Sequence, residues 1–387
     1  MNGATLRNVA QFQPRAFACR IIRPNFVSLA CLILCSCLVL AACSDQQPLG
    51  LITKQIPAES GATVEQIFIA TNRMSLANGF GTARSAQTKF GKYDISIPPN
   101  HSAGQIEWGG DQPDPAKHFA TVAQTTYQNQ SAFQTAFDRK AGTIPKSDRE
   151  VVVFVHGYNT TFAEGLFRFA QIKHDLKLPA LTLHYAWPST GRIRDYARDR
   201  DSVLFARDSL EQTLLALTDS SAERIVVVGH SLGAFLVIET LRQISHKQRG
   251  RLRDKLAGVI LISPDIDAEL FRQQVRDAAP LPQPFVVFSS PKDNALRLSG
   301  LLTGKPRLGS LTGTPQLADL GITFIDVSAI SDAGSGHLVP ATSPTVLNLI
   351  RGMGQTIEAV AGDDDRFFGP FHRGVNRLNE TGQLVDR

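Results

Sequence analysis

The sequence predicts an α/β fold: a three-layer sandwich on a mostly parallel sheet of about eight strands with an antiparallel edge. Three observations carry this expectation. Several short apolar runs are nearly continuous in β-branched residues, as strands buried on both faces must be. They alternate with amphipathic stretches of helical length, the order that βαβ crossovers produce. The earliest runs are joined by connections too short for a parallel crossover, which places the antiparallel pairing there.

Taken in order, the strand candidates are Gln66 to Thr71 (QIFIAT), Lys92 to Pro98 (KYDISIP), His118 to Tyr127 (HFATVAQTTY), Val151 to Gly157 (VVVFVHG), Ala180 to Trp187 (ALTLHYAW), Arg224 to His230 (RIVVVGH), Gly258 to Ser263 (GVILIS), Pro284 to Ser290 (PFVVFSS) and Ile322 to Ser328 (ITFIDVS). Helical periodicity occupies Ser131 to Lys140, Phe162 to Leu176, Ile193 to Leu217, Ala234 to Ile244, Ala268 to Ala278 and Thr345 to Val360. The run RIRDYARDRD, Arg192 to Asp201, interleaves both signs within one helix and reads as a solvated, salt-bridged face.

The five cysteines, Cys19, Cys31, Cys35, Cys37 and Cys43, all fall in the first 43 of 387 residues. The body of the chain therefore holds no disulfide framework and no cysteine-based metal site. Residues 1–42 read as a targeting segment, with Arg7, Arg15, Arg20 and Arg23, no acid, and an apolar stretch from Phe26 to Ala42. Removing those arginines takes the formal charge from +5 to about +1, so composition gives no argument for a nucleic-acid partner. The junction LAAC, Leu40 to Cys43, resembles the lipobox of bacterial lipoproteins and implies a lipid on Cys43. That resemblance places the protein in a Gram-negative envelope, and Ser44 after the cysteine favours the outer membrane, facing the periplasm. The expected division is a lipoprotein signal peptide at 1–42, a Pro/Gly-punctuated tether at 43–62, the α/β domain at 63–360 and a loosely ordered tail at 361–387.

Chemistry is suggested by VVVGHSLGAF, Val226 to Phe235. Gly-x-Ser-x-Gly alone is weak in a chain with 30 glycines, but here it joins a buried strand to a helix, the setting of a nucleophile elbow. Ser231 is the candidate nucleophile. Gly229 and Gly233 are needed where backbones approach closely, and His230 lies between the turn and its strand. A serine hydroxyl needs a base, and the base an orienter. His337, in the glycine-rich SDAGSGHLVP that follows the last strand, is the candidate base, preferred over His246 and His372. Asp293, after the strand ending at Ser290, is the candidate acid; its other reading is a helix N-cap. Asp265 and Asp267 in SPDID are the alternative acids. HGYN, His156 to Asn159, follows the third main strand. There the Tyr158 N–H joins that of Leu232 as an oxyanion donor, His156 and Gly157 shape the site, and Asn159 holds the loop by a local side-chain bond. No HExxH, paired HxH, EF-hand or phosphate-loop motif is present, so neither metal nor cofactor is expected.

These residues resemble the α/β-hydrolase superfamily. FIATNR (Phe68 to Arg73), SIPPNHSAGQIEW, FVHGYN and YAWPSTG are similar to a bacterial branch described as esterase- or lipase-like, over about Gln66 to Gly352. The resemblance implies an α/β-hydrolase sandwich and a lipid-anchored serine hydrolase cleaving small-molecule or lipid esters. The competing readings are a non-catalytic envelope scaffold that keeps the fold and an acyltransferase.

Overall fold

The computed structural model describes residues 55–57, 60–77, 79–247, 249–312, 317, 320–330 and 336–348, together with 375–378 and 384–385. The expected signal peptide, lipobox and Cys43, most of the tether, His372 and residues 349–360 of the expected Thr345 to Val360 helix lie outside the described residues, as does the side chain of His246.

Nine strands make the body of the sheet: β1 (Thr63–Leu76), β2 (Gly79–Ile97), β3 (Ala120–Tyr127), β4 (Glu150–Val155), β5 (Leu181–Ala186), β6 (Arg224–His230), β7 (Leu256–Ile262), β8 (Phe285–Ser289) and β9 (Thr323–Asp326). Two short strands, β10 (Val375–Leu378) and β11 (Leu384–Val385), extend it beyond β9. The spatial order is β11-β10-β9-β8-β7-β6-β4-β5-β1-β2-β3. From β1 through β5, β4, β6, β7 and β8 to β9 every pairing is parallel, and β1/β2 and β2/β3 form the antiparallel edge.

Helices α1 (Gln130–Ala141), α2 (Phe162–Leu176), α3 (Tyr196–Thr218), α4 (Leu232–Lys247), α5 (Arg249–Lys255), α6 (Ala268–Ala278), α7 (Asn294–Thr303) and α8 (Val339–Thr342) fill the connections. Their ends follow local chemistry. Thr161 and Glu164 form a reciprocal capping box at the start of α2, and Asn129 caps α1 through Ala132 N–H.

The central strands β4 and β8 are buried along their whole length because both faces are covered, and they are almost entirely apolar. Along β4, Val151, Val153 and Val155 enter one core while Val152 and Phe154 enter the other; β8 divides Phe285 and Val287 from Val286 and Phe288 in the same way. This two-sided burial fixes the register, since a slip of one residue would exchange the two faces. The chain steps from β4 out to β5, then returns to place β6 on the other side of β4. Such a reversal opens a crevice at the carboxyl ends of the strands. The HGYN loop leaves β4 and the GHSLG turn leaves β6 there, with Val155 paired to Gly229.

Candidate active site

Ser231 sits between β6 and α4 with φ +54°, in the left-handed region that non-glycine residues rarely occupy. The turn is held on all sides. Ser231 N–H donates to Ile262 O at 3.0 Å, and Ser231 O accepts from Ala234 N–H at 3.1 Å and Asp265 N–H at 3.3 Å. A Cβ on Gly229 would lie 2.8 Å from Ala234 Cα, and one on Gly233 would run into the carbonyls of Val155 and His156. The two glycines therefore let the elbow close against β4 and α4. A Cβ on Gly157 would come within 2.9 Å of Ser231 Cβ and also strike the His230 ring, so the HGYN loop packs directly on the serine turn.

Across the crevice, His337 Nδ1 meets Asp293 Oδ2 at 2.6 Å. Asp293 is fully buried, and the His337 side chain is 23% exposed. The other carboxylate oxygen of Asp293 accepts Leu296 N–H at 3.0 Å and caps α7. One oxygen of Asp293 thus caps the helix while the other meets the imidazole. With Nδ1–H directed at a carboxylate, Nε2 of His337 carries the free lone pair. His230 fixes the same segment from the nucleophile side. Its Nε2–H donates to His337 O at 3.1 Å, and the two ring centroids are 4.7 Å apart. Burial first, then the neighbouring His337, pushes the His230 pKa well below the ordinary histidine value, so this ring is a neutral spacer.

Leu232 follows Ser231 in the chain, and Tyr158 follows Gly157, which packs on the serine turn. Leu232 opens α4, so its N–H has no partner inside the helix. The Tyr158 ring packs edge-on against Tyr196, with centroids 5.2 Å apart, and its hydroxyl donates to Ile193 O. His156 is buried and stacks on Trp187 at 5.0 Å. Trp187 Nε1–H donates to His156 O at 2.6 Å. Burial, then Arg73 and His184, hold the His156 pKa well below its usual range. Asn159 differs from expectation: its Oδ1 is buried with no hydrogen-bond partner, and the residue stands at φ +55°. Asparagine serves this loop through its tolerance of the left-handed backbone rather than through a side-chain bond.

A buried arginine ties the loops together. Arg73 is fully buried and donates to Ser189 O at 2.9 Å, Thr160 O at 2.9 Å and Gly81 O at 3.1 Å. Burial lowers its pKa to about 9, against the opposing pull of Asp199 and Glu164. Asp199, also fully buried, accepts from Ser189 Oγ–H at 2.6 Å, Thr190 N–H at 2.9 Å and the Asn159 N–H. The charge run from Arg192 is therefore only partly a solvated face. Arg192 and Asp195 pair at its surface, while Asp199 turns inward and knits the loop after β5 to the HGYN loop.

The alternative acids are engaged elsewhere. Asp265 is buried against Arg307 at 2.6 Å and accepts from Tyr196 and Ser299, each at 2.7 Å. Asp267 caps α6 through the N–H groups of Glu269 and Leu270. Among the described residues no group of three or more His, Cys, Asp or Glu side chains could hold a metal ion.

A family model described as "Alpha/beta hydrolase of unknown function (DUF900)" matches residues 129–353. The chain belongs to this family. An uncharacterised protein of Nostoc sp. is 24% identical over 123 residues, covering 25% of this chain and 32% of its own length. The chain thus spans about a third of that relative. Among solved structures, a dienelactone hydrolase from Anabaena variabilis is 10% identical and covers 76% of this chain and 96% of its own, with a TM-score of 0.35. Phospholipase PlaB from Legionella pneumophila is 12% identical and covers 52% of this chain and 59% of its own, with a TM-score of 0.29.

Within this α/β hydrolase, reading by residue type alone did not give Arg73, Ser189 or Asp199 a place at the site. FIATNR and YAWPSTG carried the signal as motifs, and Asp199 was hidden among like-looking charges.

Proposed function

We propose that this α/β hydrolase cleaves carboxylic esters through an acyl-enzyme on Ser231. The observation that carries the reading is the 2.6 Å contact between His337 and the buried Asp293, at the same strand edge as a serine held at φ +54°. In this mechanism Nε2 of His337 removes the Ser231 proton as Oγ attacks the ester carbonyl. Asp293 stabilises the imidazolium that forms, and the Tyr158 and Leu232 N–H groups receive the developing oxyanion. The imidazolium then protonates the leaving alcohol. Water, activated by the same histidine, hydrolyses the acyl-enzyme and restores the hydroxyl. No cofactor or metal is invoked. The test is hydrolysis of a series of p-nitrophenyl esters, with loss of turnover in Ser231→Ala at unchanged fold expected. Equal turnover by wild type and variant would remove the nucleophile from the proposal.

Anchoring at the envelope through a lipid on Cys43 is part of the proposed setting, supported by the arginine-rich apolar leader and LAAC. Radiolabelled palmitate should enter the wild type and not Cys43→Ala; labelling of both would set the anchor aside. Acyl transfer to an alcohol is the same chemistry with another acceptor, and product analysis in the presence of glycerol separates the two.

A further inference from the structure

Six of the large apolar side chains that the fold leaves exposed lie at or beyond the carboxyl ends of β1, β5 and β8, the edge that carries Ser231: Met74, Leu76, Ile193, Leu298, Leu301 and Leu302. The strongest concentration is on α7. Leu298, Leu301 and Leu302 are 54%, 82% and 68% exposed, while Leu296 and Ser299 are buried. Spacings of three and four residues put the exposed leucines on one stripe of the helix. The helix thus turns leucine to solvent and a serine inward, the reverse of an ordinary surface helix.

This stripe is coupled to the site by direct contacts. Asp293, which holds His337, is the N-cap of α7. Tyr196 at the start of α3 and Ser299 in the middle of α7 both donate to Asp265, each at 2.7 Å, and their hydroxyl oxygens lie 2.8 Å apart. The Tyr158 hydroxyl bonds the carbonyl of Ile193, whose side chain is 65% exposed. Around the leucines stand the exposed cations Arg194, Lys292 and Arg297, and α7 contains no acid.

We propose that the leucine face of α7 docks on an anionic phospholipid surface and presents the mouth above Ser231 to esters held in that surface; the second half rests on the ester-hydrolase reading. Apolar side chains interleaved with cations match the two components of interfacial binding, acyl-chain contact and attraction to anionic headgroups. A second copy of the chain is a poorer occupant. A two-fold contact through this face would set Arg194, Lys292 and Arg297 against their own copies.

The experiment uses the full chain on vesicles of mixed phosphatidylglycerol and phosphatidylcholine with brominated acyl chains, which quench tryptophan at contact depth. The leader can itself hold the protein on vesicles, so the readout is depth and not co-sedimentation. Leu301→Trp is compared with wild type and with Val64→Trp, placed where β1 begins at the opposite strand edge. The fluorescence added by Leu301→Trp should fall at least twofold in brominated vesicles and that of Val64→Trp should not, with the same result in a Ser231→Ala background. An unquenched Leu301→Trp on bound protein, protein that does not bind at all, or shielding that tracks protein concentration without quenching would each overturn the surface. In parallel, replacing Leu298, Leu301 and Leu302 by serine should cut hydrolysis of a vesicle-borne ester at least tenfold and leave a water-soluble ester unaffected. If wild type cleaves neither ester while quenching persists, the docking face stands and the ester reading fails.

Discussion

Asp293→Asn separates the two jobs of one carboxylate. In the folded protein Oδ2 accepts from His337 Nδ1–H at 2.6 Å, and Oδ1 accepts from Leu296 N–H at 3.0 Å. Asparagine offers one acceptor oxygen and one donor amide. If the oxygen stays on Leu296, the amide faces Nδ1, which must then accept, and the proton moves to Nε2. A protonated neutral Nε2 cannot take the Ser231 proton, a wrong-tautomer defect that costs on the order of 10⁴ in kcat, or about 5 kcal/mol of barrier. Stability should change by less than about 1 kcal/mol, because asparagine caps a helix as well as aspartate does. Asp293→Ala removes both contacts, so a comparable loss of turnover should come with a cap loss of about 1 kcal/mol. Ester hydrolysis under saturating substrate, with urea unfolding of the same preparations, reads both quantities. The reasoning is refuted if Asp293→Asn keeps more than a tenth of wild-type kcat with its fold intact.

Three further outcomes are expected. Arg73→Met strips the donor from the carbonyls of Thr160, Ser189 and Gly81 and leaves Asp199 buried without its countercharge; a loss of about 3–5 kcal/mol in urea unfolding follows, and a loss below about 1 kcal/mol would contradict the hub. Gly157→Ala drives a methyl towards Ser231 Cβ and His230 and displaces the Tyr158 N–H, so kcat should drop about 10²-fold or more with near-native circular dichroism; unchanged kcat would detach the HGYN loop from catalysis. On pH, burial pushes the values of His156, His184 and His230 down, His184 to about 3. Below about 6.5 the unfolded chain therefore takes up protons that the folded chain refuses, and stability is lost as pH falls. His101, held between Glu107 at 2.8 Å and Asp175 at 3.0 Å with His174 nearby, has the opposite sign. These carboxylates outweigh burial and raise its value, so its contribution is full below about 6.5 and fades as pH rises through the folded value. Urea unfolding should show stability rising from pH 5 to 7, and more steeply in His101→Gln; a fall over that interval would reverse the assignment.

What could be read from the sequence follows from which signals are local. β6, α2 and α6 were expected with their observed ends from a β-branched run and helical periodicity, and in the structure the Thr161/Glu164 capping box and the Asp267 cap fix the starts of the two helices. The β1–β2 hairpin is longer than QIFIAT and KYDISIP suggest. Its outer part is polar and irregular: the pairing passes from Thr71 opposite Lys89 to Arg73 opposite Arg84, with Ser85 to Thr88 in the register shift between them, which leaves no apolar alternation to detect. At the candidate site, Ser231 was proposed from a strand-to-helix turn, Asp293 from its place after a late strand, and His337 from a glycine-rich loop after the last strand. Arg73 and Asp199 were not, since Arg73 acts on a loop 87 residues away and Asp199 meets its partners only where the chain folds back around a buried charge. Asn159 was misread for a similar reason: a positive φ is imposed by the turn and leaves no mark on residue type beyond asparagine itself.

The central claim is that Ser231 is an activated nucleophile. Reaction of the full chain with a fluorophosphonate, followed by peptide mass spectrometry, tests it most directly. A single stoichiometric adduct on Ser231 is expected, slowed at least ~10³-fold in Asp293→Asn and absent in Ser231→Ala. No adduct under conditions that label a control serine hydrolase, or an adduct that persists in Ser231→Ala, would contradict it.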